Sequence, residues 1–318
     1  MRLVVGSYAD IRVYEAGSLA PVTTTGAVAA PSYLVAHPHL PVLYAVSELP
    51  AGSVSALDGA ALTPVSRRPS GGGDPCHLAV DPAGRHLLCA SYGGSYGGSY
   101  GGSVALFGLT PDGLLAGPPT DVVAGVHPHH VSWRGPQVTV VDLGTDHLYG
   151  YALDGGRLRQ TWSARAEPGS GPRHLAVHPS GHRYVADELS STVSTYTQGP
   201  DGGLRLAATV PATLVAPADR NYPAEIAVSG DGRFVYVTNR GNDTVTTFAV
   251  APDGGLRALD EVPTGGAWPR HFTVAGPRMY VANQRSGTVT ALAIGDDGLP
   301  RPTGALIEVA SPSCILVV

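Results

Sequence analysis

The chain has no lysine: all 20 basic residues among its 318 are arginines. A Schiff-base lysine, a pyridoxal-phosphate lysine and the lysine of a phosphate-binding P-loop are therefore excluded. Every fixed side-chain cation is a guanidinium, whose planar fork grips a carboxylate or phosphate through two parallel hydrogen bonds. Charge of either sign is scarce. Only 14% of residues are charged and the formal net charge is -5, so no basic stripe is present to neutralise a nucleic-acid backbone. Cysteine is limited to Cys76, Cys89 and Cys314, with no CxxC spacing, so neither a disulfide framework nor a zinc knuckle is expected. These three read as small core residues. No apolar run approaches the roughly 20 residues of a membrane-spanning helix, and the one within residues 1–10 is too short for a signal peptide. A cytoplasmic protein without membrane or nucleic-acid partners is the expectation.

What the sequence has in quantity is glycine, 42 residues, and proline, 28. Both weaken helix interiors, which favours many short strands joined by tight turns. Hydrophobic residues at 43% supply enough core to exclude a disordered chain. Self-similarity then fixes the architecture. Pro31, Pro75, Pro128, Pro172, Pro223, Pro269 and Pro312 each open one hexad: PSYLVA, PCHLAV, PHHVSW, PRHLAV, PAEIAV, PRHFTV and PSCILV. The seven copies recur every 43 to 53 residues, close to the roughly 40 to 50 expected of a propeller blade. Within the fourth copy, strands are predicted at 174–177, 183–186, 192–196 and 204–210, with Asp201-Gly202 turning into the last. Asp112-Gly113, Asp154-Gly155, Asp253-Gly254 and Asp297-Gly298 recur at the matching place, and such dipeptides mark hairpins because the turn needs positive φ. The pattern predicts an all-β fold: a seven-bladed β-propeller of four-stranded antiparallel blades, spanning 1–318 as one domain. Residues 1–30 and 312–318 would share the closing blade, which satisfies edge strands that an open array exposes.

In such a blade the start of strand one lies beside the end of strand two, so residues at those two places converge on one mouth. The pairs are His77 with Tyr92, His129 with Asp142, Arg173 and His174 with Glu188, Glu225 with Arg240, and Arg270 and His271 with Asn283. His77, His174 and His271 share one repeat position, where a histidine can serve simply to satisfy backbone groups between blades. His129 sits one residue earlier, where other copies carry Cys76, Arg173 or Arg270. Arg173, Arg240 and Arg270 aimed at one mouth suit an anionic ligand, since buried cations without counter-charges are costly. His127, His129 and His130 look superficially like a metal set, but strict alternation turns His129 and His130 to opposite faces, so no metal or other cofactor is expected. The glycine-rich segment 91–103 reads either as a replicated run of four residues or as a tyrosine-bearing lid.

Several stretches carry a family resemblance: GPRHLAVHP from Gly171, DELSSTV from Asp187, VDLGTD from Val141, AEIAVSGDGR from Ala224, TNRG from Thr238, and VANQ from Val281. Together they resemble the cytosolic lactonase family of seven-bladed propellers, which contains bacterial 6-phosphogluconolactonases and fungal carboxymuconate lactonizing enzymes. The resemblance implies that His129, Arg173 and Glu188 are the catalytic residues. Tyr92, His77, Glu225, Arg240, Arg270 and Asn283 would surround a small anionic lactone or carboxylate. It implies a metal-independent, monomeric lactonase, most simply one acting on 6-phosphogluconolactone. A lactonizing cycloisomerase and a non-catalytic binding platform are the competing readings.

Overall fold

A computed structural model describes residues 1–93, 101–217 and 219–318. Residues 94–100 of the glycine-rich segment lie outside the described residues. Among the described residues there are 28 strands in seven four-stranded antiparallel sheets, the all-β seven-bladed propeller that the hexads predict. Among the described residues no helix is long and apolar enough to cross a membrane. The chain divides into two compact units, Met1–Ser163 with Val318, and Ala164–Val317.

In the first unit, β1 (Arg2–Ser7), β2 (Ile11–Glu15) and β3 (Pro21–Thr25) belong to the sheet that holds both chain ends, and Arg2 and Val318 exchange backbone hydrogen bonds of 2.8 and 3.0 Å. Two apolar clusters fill this unit. One gathers Val46, Val54, Leu78, Cys89 and Phe107; the other gathers Leu88, Leu106, Val131, Val140 and Leu158. Cys76, Cys89 and Cys314 are all buried and unpaired with one another, as small core residues should be.

In the second unit the fourth copy of the repeat folds as β16 (Pro172–Val177), β17 (Arg183–Asp187), β18 (Thr192–Gln198) and β19 (Leu204–Pro211), within two residues of the sequence expectation at each boundary. Its neighbours are β20 (Tyr222–Val228) with β21 (Phe234–Arg240), and β24 (Pro269–Ala275) with β25 (Arg278–Asn283). The core packs Tyr184, Ile226, Val235 and Phe248 in one cluster and Tyr236, Phe272, Met279 and Val281 in another.

The hairpin glycines have a second task beyond their turns. Gly113, Gly254 and Gly298 hold φ of 77°, 83° and 76°, as an Asp-Gly turn requires. The carbonyl of each then accepts a tyrosine hydroxyl from another strand: Tyr44 to Gly113 at 2.7 Å, Tyr184 to Gly254 at 2.9 Å and Tyr236 to Gly298 at 2.9 Å. A buried phenol needs an acceptor, and the buried glycine of the turn supplies one. This contact recurs with the repeat and ties adjacent blades through one buried hydrogen bond each.

One irregularity positions the site. Where the first and second strands of a blade pair, the register slips immediately after the repeated proline, between Pro75 and His77, Pro128 and His130, Pro172 and His174, and Pro269 and His271. The residue left over is Cys76, His129, Arg173 or Arg270. A bulge leaves one residue unpaired and re-aims its side chain, so strict alternation does not hold at this point. The argument that turned His129 and His130 to opposite faces by alternation therefore lapses, since the slip lies between Pro128 and His130.

Candidate active site

In the second unit, two guanidinium groups converge on one carboxylate. Arg173 Nε stands 3.1 Å and Arg240 Nη2 2.6 Å from Glu188 Oε2. Arg173 is the more deeply enclosed, with its side chain 2% exposed, and its Nη1 also donates to the carbonyl of Ala224 at 2.8 Å. Arg240 is fixed by donation from Nε to the Tyr222 carbonyl at 3.1 Å and from Nη2 to that of Pro223. Both ion pairs are closest at Oε2, and the Glu188 side chain is 18% exposed.

Burial alone would raise the Glu188 carboxyl; Arg240 and then Arg173 outweigh it and hold the pKa below the ordinary value. Burial, together with the like charges of Arg240 and Arg270, pushes Arg173 down, against the pull of Glu188. Arg240 is likewise lowered, first by burial and then by Arg270 and Arg285, with Glu188 opposing. Three guanidinium groups thus act on one carboxylate, and the local field is positive.

Beside them Glu225 Oε2 meets two imidazoles, His174 Nδ1 at 3.0 Å and His271 Nε2 at 3.3 Å. His271 Nδ1 accepts the backbone N–H of Ile315, which leaves its proton on Nε2, facing the carboxylate. Burial lowers the His271 pKa, Glu225 opposes this, and Arg173 and Arg270 reinforce it. The ring is a neutral donor that orders Glu225.

Near the end of each second strand in this unit, one buried residue, Asp187, Asn239 or Asn283, is bonded within its own blade. Asn283 is fully buried: its Nδ2 donates to Thr290 Oγ1 at 3.0 Å and its Oδ1 accepts from Thr264 at 2.9 Å. Both ends of the Asn283 amide, expected at the substrate, are used internally. Asp187 accepts from Ser194 and Thr192 in the same manner, and Asn239 donates to Thr246 and Ala212. The residue one step further along is the one left outside the anchor: Glu188, Arg240 and Gln284.

The first unit repeats the logic with different side chains. Asp142, at the end of its strand, accepts four backbone N–H groups, from Val126, His127, Gly144 and Thr145. That clamp sets His127, whose Nδ1 donates to the Tyr92 carbonyl at 2.7 Å while its ring stacks on Tyr92 at 4.4 Å. His129 is 6% exposed and meets the Tyr92 ring edge-on at 5.8 Å. His77 lies between the rings of Tyr33 and His130, each centred 4.2 Å away, and accepts the Val131 N–H at 3.4 Å. It fills the interblade role open to any histidine at this repeat position. Tyr8 donates to Glu48 at 2.7 Å, and the nearby Asp74 carboxyl is raised by burial and by the Glu48 charge.

Sequence reasoning missed Arg220, Tyr222, Trp268 and Arg285. Arg285 lies over the Trp268 ring, 3.3 Å from its centroid, and Arg240 lies 5.5 Å from the same centroid; Arg220 is 5.3 Å from the Tyr222 ring. The signal was available, because Tyr222 and Trp268 each directly precede a repeated proline.

A sequence model described as lactonase, 7-bladed beta-propeller, matches residues 2–317. The 6-phosphogluconolactonase of Bacillus subtilis is 32% identical over 265 residues, covering 76% of this chain and 73% of that protein. A 6-phosphogluconolactonase of Formosa agariphila is 28% identical over 306 residues, covering 86% of each. Among solved structures, the periplasmic gluconolactonase PpgL of Pseudomonas aeruginosa superposes with a TM-score of 0.88 at 27% identity, over 99% of this chain and 98% of that one.

Proposed function

Since the chain belongs to the lactonase family of seven-bladed β-propellers, we propose that it hydrolyses a sugar lactone, with Glu188 as the base and 6-phosphogluconolactone as the substrate. The observation that carries the chemistry is a carboxylate held between two arginines, both closest at Oε2, with the Glu188 side chain still 18% exposed. Oε1 takes a proton from water as that water attacks the lactone carbonyl carbon. The carbonyl oxygen gains the negative charge, which Arg240 and Arg270 balance electrostatically. As the tetrahedral centre collapses, the ring C–O bond breaks and the departing alkoxide receives the proton from Glu188, giving the hydroxy acid.

Arg173 is a positioning residue in this scheme. Its guanidinium is spent on Glu188 and the Ala224 carbonyl, and it is too enclosed to meet the developing oxyanion. The carboxylate it holds is ionised throughout the neutral range, a weak base always in its working form. His129 enters on its motif alone, as a second proton-handling group. The names of the relatives supply the substrate class, and the excess of guanidinium over carboxylate charge supports an anionic member of it.

The test is turnover of 6-phosphogluconolactone and of gluconolactone by the purified protein and by Glu188→Gln, each corrected for spontaneous opening. Loss of the base should lower kcat by roughly 10²- to 10⁴-fold. Absence of turnover of either lactone by the unaltered protein refutes the substrate class. Full activity in Glu188→Gln refutes the assignment of the base.

A further inference from the structure

We propose that Arg220, Arg240 and Arg285, carried on the rings of Tyr222 and Trp268, form a subsite for the phosphate of a phosphorylated lactone. It would set preference for that substrate over the neutral sugar lactone. The inference rests on the lactone reading above and adds residues that the reading does not use.

Four observations support it. The three guanidinium groups share two rings: Arg220 and Arg240 at 5.3 and 6.0 Å from the Tyr222 centroid, Arg240 and Arg285 at 5.5 and 3.3 Å from that of Trp268. The rings themselves lie 5.7 Å apart, so the set is one contiguous patch. Second, its charge is uncompensated. Arg240 shares Glu188 with Arg173, and neither Arg220 nor Arg285 has a carboxylate partner among the described residues. A guanidinium lying on an aromatic face keeps its N–H edge for an anion, and phosphate matches that edge.

Third, the backbone here is held in a conformation that bulky residues avoid. Trp268 has φ of 64°, pinned by donation of its N–H to Asp243 Oδ1 at 2.7 Å and by the Gln284 N–H on its carbonyl at 3.0 Å. Such outliers persist where the surroundings over-determine them, often at ligand clamps. Fourth, the patch is continuous with the candidate active site, because Arg240 belongs to both. A lactone whose carbonyl meets Glu188 would carry a distal anion towards Arg220 and Arg285.

Calorimetric binding of 6-phosphogluconate and of gluconate, the two product acids, reads the subsite without turnover. The unaltered protein should bind the phosphorylated acid at least about tenfold more tightly, and Arg220→Ala or Arg285→Ala should each reduce that preference by about tenfold. Both arginines are exposed, so neither variant threatens the fold. Arg285→Lys keeps the charge without the planar stack and should recover only part of the preference. In kinetics, the loss in kcat/KM for the phosphorylated lactone should exceed that for the neutral one by the same factor. No preference in the unaltered protein, or an unchanged preference in both alanine variants, overturns the subsite. Expected binding ratios without hydrolysis of either lactone would overturn the lactonase chemistry alone and leave the subsite standing.

Discussion

Removing Arg240 should move the acid limb of lactone hydrolysis upward. The group responsible is Glu188, whose carboxyl lies below its ordinary value because Arg240 and Arg173 outweigh the effect of burial. Arg240 Nη2 is 2.6 Å from Oε2. With the guanidinium charge centred about 4 Å away and an effective dielectric near 20, its attraction is about 4 kcal/mol. Each pKa unit corresponds to about 1.4 kcal/mol, so full loss would amount to about three units. Arg173 remains and water enters the vacated space, which leaves an expected rise of about 1 to 2 units in Arg240→Gln. The sign is fixed by the ionisation. A carboxylate whose folded-state pKa is depressed is in its working form above that pKa, and both its activity and its stabilising ion pair are lost as pH falls through it. The unaltered protein should therefore keep its activity to pH values below the ordinary glutamate range, and the variant should lose it at a higher pH than the unaltered protein does. The assay is kcat against pH, with spontaneous opening subtracted and activity shown to return after transfer to neutral pH. An acid limb with the same midpoint in both proteins would refute the assignment of that limb to Glu188.

Other expectations follow from single contacts. Glu188→Gln leaves two enclosed arginines without a counter-charge and should cost about 3 to 5 kcal/mol in chemical unfolding, in addition to its loss of kcat. Glu225→Gln removes the one group that raises the His271 pKa, so the imidazole should titrate still lower in an NMR pH series. In the unaltered protein the depressed His271 pKa makes stability fall as pH drops below about 6.5, and melting temperatures should show that slope. Tyr184→Phe leaves the Gly254 carbonyl without its 2.9 Å donor and should cost about 1 kcal/mol, measured by urea unfolding. Gly150→Ala would drive a methyl group into the Trp162 indole and should cost about 1 to 3 kcal/mol by the same measurement.

The fold was legible because its signals are local. A proline at or near the start of each first strand and an Asp-Gly at most last hairpins impose their backbone angles whatever the tertiary setting, and both recur with the blade. The site was legible only in part. Pairing the start of strand one with the end of strand two correctly brought Arg173, Glu188 and Arg240 together, since that neighbourhood is a matter of antiparallel register. It did not foresee that Asn283 is bonded at both ends of its amide within its own blade, because alternation cannot distinguish such an anchor from the residue that follows it. The aromatic and arginine patch was only half legible: Tyr222 and Trp268 precede repeated prolines, but their arginine partners carry no such mark. Arg220 and Arg285 are far apart in sequence, and nothing in either segment announces that they stack on neighbouring rings.

The bulge after Pro75, Pro128, Pro172 and Pro269 explains how one repeat produces unlike side chains at one place. An unpaired residue contributes little to the ladder, so its identity is free of the demand that fixes its neighbours as apolar or as interblade histidines. At that position the chain carries Cys76, His129, Arg173 and Arg270, while the residues two steps beyond the proline include His77, His130, His174 and His271. The repeat therefore keeps its packing constant at the position in register and varies its chemistry at the bulge. On this view the second unit is charged not by an exceptional blade but by arginines at two bulges and at the residue beyond one anchor. Glu188 is the carboxylate to which Arg173 and Arg240 are directly tied. A scaffold of this kind can change the ligand it attracts by substitutions at bulges, with little effect on the register that holds the blades.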